Sequence, residues 1–125
     1  MKTVLASLLV VASLLAGAPA LSAHHSWPVS YGKLVTVKGT ITAVSWENPH
    51  PMFTIDVRND DGKMETWQIG GPAINRMEGN GWTKTTVKPG DTLTGIGYQF
   101  MDGQKIIRLE RVVLASGKEM RLYGR

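Results

Sequence analysis

The run KLVTVKGTITAVSW, residues 33–46, decides the fold. Val35, Val37, Ile41 and Ala43 fall on one parity, and Val44 and Trp46 fall on the other. Alternation of β-branched residues at period two marks a strand with one face on a core. Gly39 lies inside the run, and a glycine there predicts a bend or bulge that also explains the change of parity. The folded part of the chain therefore opens with one long, bent strand.

Working towards the C-terminus, Asn48-Pro49-His50-Pro51 stops that strand, because neither proline has an N–H to give to a ladder. Phe53, Ile55 and Val57 alternate with Thr54 and Asp56 as a second strand, and Asn59-Asp60-Asp61-Gly62 is a hairpin turn. Met64 to Ile69 makes a third strand, with Trp67 and Ile69 facing inward, and Gly70-Gly71-Pro72 breaks it. Pro72 to Glu78 reads as a short helix, with proline in its first turn and Gly79 ending it. Val87 to Asp91 turns into strand four, Thr92 to Phe100, and Met101-Asp102-Gly103-Gln104 leads into strand five, Ile106 to Leu114. Met120 to Tyr123 adds a short terminal strand.

This order predicts an all-β fold: a small, OB-like β-barrel of five to six strands, with one short helix between strands three and four. A β-sandwich is the rival, but the small number of strands favours the barrel. OB barrels bind ligands on one face and in their loops, although a fold alone does not name the ligand. Trp46, Trp67 and Trp82 read as core or barrel-plug residues, and Met101 and Met120 as packing residues.

Towards the N-terminus the chain reads as a leader. Lys2, the apolar run from Val4 to Leu15 and the small residues up to Ala23 fit a signal peptide over 1–23. The preferred cut falls after Ala23; cuts after Ala20 or Ser22 are the alternatives. That leaves a single OB-like domain over 24–125 with an N-terminal extension over 24–32. The apolar run is shorter than the roughly 20 residues of a membrane span, and no later stretch is longer, so no membrane span is expected in the mature chain. The expected location is exported, periplasmic or secreted. The chain has no cysteine, which excludes disulfides and a cysteine-linked lipid anchor. Its net charge is +4, or +3 once Lys2 leaves with the leader, and the basic residues are dispersed. No run resembles a nucleic-acid arm.

The three histidines occupy two places. A cut after Ala23 makes His24 the first residue, so its free amine and imidazole can chelate one metal ion. His25 follows it and is a further candidate. His50 can add a nitrogen from the proline-flanked loop, where Pro49 and Pro51 lower the entropic cost of ordering a ligand. Imidazole suits copper, zinc and nickel, and copper has the highest intrinsic affinity. The expected function is transition-metal binding, copper foremost, for carriage or buffering. Trp27, Asn48 and Met52 are the supporting residues. Trp27 can anchor the terminal segment. Asn48 caps the loop or touches the ligand. Met52 offers a thioether, though a core role competes. Glu47 and Asp56 can orient an imidazole, or are simply exposed carboxylates. The alternative reading is a non-catalytic OB-type envelope module that binds a small molecule, glycan or protein. An enzyme is not expected: no nucleophile with a credible base, no cysteine and no glycine-rich phosphate loop is present.

Several motifs together carry a resemblance. Ala23-His24-His25-Ser26, followed by the aromatic Trp27, then Asn48-Pro49-His50, Gly81-Trp82 and Pro89-Gly90-Asp91 resemble a family of small exported bacterial proteins catalogued as a domain of unknown function. The resemblance covers nearly the whole mature chain. It implies processing near Ala23 and one compact β domain, and it implies no activity.

Overall fold

In the computed structural model, which describes residues 26–124, the long first strand β1 covers Val29–Ser45. It begins inside the stretch read as an extension, and Val29 is already buried. Val35, Val37, Gly39 and Ile41 face inward, then Val44 and Trp46 do. The change of parity comes not at Gly39 but at Thr42. Ile41 pairs with Ile55 and Ala43 with Thr54, so Thr42 is the extra residue of a bulge. Ala43, grouped by parity with the inward set, is exposed. Gly39 stays in register with a strand on either side, and a Cβ there would collide with the Asp56 carbonyl oxygen. Its lack of a side chain serves close approach rather than a bulge.

Strands β2 (Met52–Arg58) and β3 (Met64–Gly70) form the expected hairpin, and the helix α1 (Ile74–Gly79) follows. The helix starts two residues after Pro72. Strands β4 (Thr92–Phe100) and β5 (Ile106–Leu114) have the predicted bounds, and β6 (Glu119–Arg121) is the short addition. β1 pairs with both β2 and β4, β2 with β3, and β4 with β5. A parallel pairing of Gln68–Gly70 with Ile106–Arg108 joins β3 to β5 and closes the sheet in a ring. β6 adds to β5 outside it. The all-β class and the helix between strands three and four are as the sequence predicts.

The ring encloses Ile41, Phe53, Ile55, Ile69, Leu93, Ile107 and Leu109, all essentially removed from water. Burial of this apolar surface is the main drive to fold. Met77 of α1 and Trp82 cover one end of the core. The Trp82 ring stacks on Phe53 at 5.9 Å, and its Nε1 donates to the Arg121 carbonyl at 2.8 Å. Trp46 and Trp67 pack partly buried against the same cluster. Met120 is buried as expected, but Met101 is exposed at the tip of the β4–β5 turn and packs nothing.

Candidate functional site

The loop between β1 and β2 is tied to the link between β3 and α1. The Gly71 N–H donates to the Pro51 carbonyl at 3.1 Å. His50 Nδ1 lies 3.0 Å from the Gly71 carbonyl oxygen. A carbonyl oxygen only accepts, so Nδ1 carries the hydrogen, and in the neutral ring Nε2 keeps its lone pair. The Asn48 Oδ1 accepts from the Ile74 N–H at 3.1 Å. Ala73, the residue at the N-cap position of α1, makes no side-chain cap, so Asn48 supplies one from another loop. The Asn48–Pro49 peptide bond is cis.

Two glycines allow this docking. A Cβ on Gly71 would meet Leu122 Cδ2 at 2.6 Å and Met77 Sδ at 2.8 Å. A Cβ on Gly70 would collide with Met52 Sδ and approach Trp27 Cη2 to 3.0 Å. Both neighbours are thereby packed directly on backbone.

Trp27 leads the chain into this place. Its ring lies 4.6 Å from that of His50, tilted at 53°, and meets the edge of Phe100 at 5.8 Å. The Met101 N–H donates to the Pro28 carbonyl at 2.9 Å, which fixes the backbone just before β1. Among the described residues Trp27 Nε1 is buried without a hydrogen-bond partner. The Tyr123 hydroxyl is near it but makes no well-formed hydrogen bond with it.

The Trp27–His50 pair, with Ser26 and Pro49, forms a wall shared by two cavities. On one side is an apolar cavity of about 450 Å³, reaching Pro28, Met52, Phe100 and Ile106. On the other is a polar cavity of about 480 Å³, reaching Tyr31, Arg76, Arg108 and Tyr123. The Arg108 side chain is only 14% exposed, so its charge needs partners. It pairs with Glu110, and its Cζ stands 3.6 Å over the Tyr123 ring and 5.7 Å from that of Tyr31. Burial pushes the Tyr123 phenol above its usual 10.0, against the opposing pull of the Arg108 charge.

The structure thus brings together Trp27, His50 and Met52 of the expected site. Met52 is half-buried and lines the apolar cavity. Asn48 caps α1 instead of lining a cavity. Asp56 accepts from Thr66 at 3.2 Å, and a backbone carbonyl, not a carboxylate, orients His50. His24 and His25, with the leader, lie outside the described residues. Among the described residues no three His, Cys, Asp or Glu side chains group as metal ligands, and His50 is the one histidine. Arg76, Arg108, Tyr31 and Tyr123 were not legible as site residues. Arg108 alternates with Ile107 and Leu109, which by parity alone marks only an outward face.

An all-β protein with a closed sheet and a histidine-walled pair of cavities at its rim is the class these features define. The chain belongs to a family of unknown function (DUF6152), whose model matches residues 10–107. No curated protein matches it. No helix among the described residues is long and apolar enough to cross a membrane.

Proposed function

We propose that this is an exported, periplasmic protein that binds a transition metal, copper foremost, through His50 and the N-terminal His24, with His25 as a further nitrogen donor. One observation carries the reading: His50 Nδ1 donates to the Gly71 carbonyl. Metal-bound histidines characteristically give their second ring nitrogen to such an acceptor, which fixes the ring and leaves the other nitrogen for the ion. The Trp27–His50 contact adds support. It holds the chain three residues from His24 against the candidate ligand. The proposal requires His24 to reach His50 across these three residues, which span at most about 10–11 Å when extended. The half-buried Met52 thioether, in the apolar cavity on one side of that wall, suits Cu(I). Carriage or buffering of the ion is the role proposed for such a site.

The test is a Cu(II) titration of the processed protein, followed by EPR and the d–d absorption band. A single nitrogen-rich species at one equivalent is expected. His50→Ala and His24→Ala should each weaken binding by at least about 10–100-fold, the usual cost of losing even a residue that only supports a metal ligand. If the double variant binds copper as well as the wild type, the reading is wrong.

A further inference from the structure

We infer that the polar cavity bounded by Arg76, Arg108, Trp27, Tyr31 and Tyr123 binds a small, planar organic monocarboxylate. This goes beyond the metal reading: the cavity shares the His50 wall with that site, but the carboxylate contacts proposed here need no metal ion.

The charge of the cavity points to an anion. Among the described residues two arginines line it, and no carboxylate side chain does. Glu110 lies outside the lining and answers Arg108 through their ion pair. Arg76 is exposed on α1 and makes no ion pair among the described residues. The net excess at the cavity is therefore one positive charge. One charge matches a monocarboxylate and falls short of a polyphosphate, whose several charges demand several cations. A guanidinium offers a planar fork of N–H donors that fits both oxygens of a carboxylate. Arg108 spends one edge on Glu110, so the unpaired fork is that of Arg76.

The walls point to a planar body. Trp27, Tyr31 and Tyr123 supply three aromatic side chains around a volume of about 480 Å³. That is within the usual size of a small-molecule site, which pairs apolar walls with a few polar groups. Tyr31 is 58% exposed at the mouth, its ring 5.1 Å from that of Tyr98. A planar ligand would cover its apolar face. Tyr123 is a neutral phenol at neutral pH, as its ordinary value already ensures and burial reinforces, so it has an O–H to donate.

Benzoate is the probe, titrated into the full processed protein in chelator-treated buffer and followed through the four tryptophan indole N–H signals by NMR. The Trp27 signal is identified by its loss in Trp27→Phe. Saturable movement of that signal, complete below about 10 mM, is expected for a specific weak site. Arg76→Gln should weaken binding about tenfold or more, by loss of one charge-assisted contact, while the remaining spectrum stays that of the folded protein. Arg76→Lys should recover part of the affinity, because the charge returns without the fork. Benzyl alcohol, the neutral analogue, should bind far more weakly. The inference is overturned by the absence of saturation, by equal binding of benzyl alcohol, or by an affinity indifferent to Arg76→Gln. It is equally overturned if inorganic phosphate binds more tightly than benzoate. The copper experiment is independent of all these outcomes, because its ligands are unchanged in the Arg76 variants.

Discussion

Gly71 uses both halves of its peptide on the loop that carries His50: its N–H goes to Pro51 and its carbonyl takes the imidazole N–H. The side without a Cβ is filled by Leu122 and Met77, both fully buried and with little freedom to yield. Gly71→Ala should therefore cost about 1–3 kcal/mol of stability, the range for overpacking a filled core. It should also displace the carbonyl that orients His50. Urea unfolding and copper titration of the same variant check both effects, and a variant with wild-type midpoint and affinity would contradict the packing described. In the sequence, Gly70-Gly71-Pro72 reads only as a strand breaker. Its second task was hidden because the contacts that impose it come from Met52 and Leu122, distant in the sequence, and from Met77 on the helix that follows. His50 and Trp27 were legible as site candidates because they are chemically distinctive residues beside a prolyl loop and a chain terminus. Their mutual contact was not, since it is set by how β1 and β2 pack.

At the scale of elements, α1 is six residues long and starts without a side-chain cap of its own. So short a helix gains little from propensity and depends on tertiary contacts. Asn48 supplies the missing acceptor to the Ile74 N–H. Asn48→Ala should lower stability by roughly 0.5–2 kcal/mol, the usual loss for a removed cap. Asn48→Asp should retain most of it, because a carboxylate oxygen can accept the same bond. Denaturation midpoints of the two variants decide the matter: equal losses would mean that the bond contributes nothing. The strands themselves were readable from parity, since period-two burial leaves a direct mark in sequence. The bulge was placed three residues early. A glycine inside a strand serves either a bulge or a close backbone approach, and Gly39 serves the second. Thr42, the true extra residue, bears no such mark; β-branched threonine sits equally well in regular strand.

At the scale of the molecule, ring closure rests on a short parallel pairing of β3 with β5, and that pairing joins residues distant in sequence. Composition and periodicity identify strands but not such partners, so closure was an expectation from strand order alone. Trp82, almost fully buried, packs on the core that the ring encloses. Its ring stacks on Phe53 from β2, and its Nε1 reaches the Arg121 carbonyl at the end of β6. One side chain thus links the plug to opposite parts of the sheet. Trp82→Phe keeps an aromatic ring but leaves the Arg121 carbonyl without its donor and opens a small void. A loss of about 2–4 kcal/mol is expected, combining an unsatisfied acceptor with a cavity. Trp46 and Trp67 are only partly buried, and Trp67 donates to Glu65 on its own strand. Phenylalanine at either position should cost about 1 kcal/mol or less, since its packing is peripheral. Urea unfolding of the three variants, compared at unchanged m-value, separates a plug from three interchangeable surface-core tryptophans. Equal losses would mean that Trp82 does not tie the ring; a dominant loss at Trp82 would place a large share of the stability, itself typically only about 5–15 kcal/mol, in that one side chain.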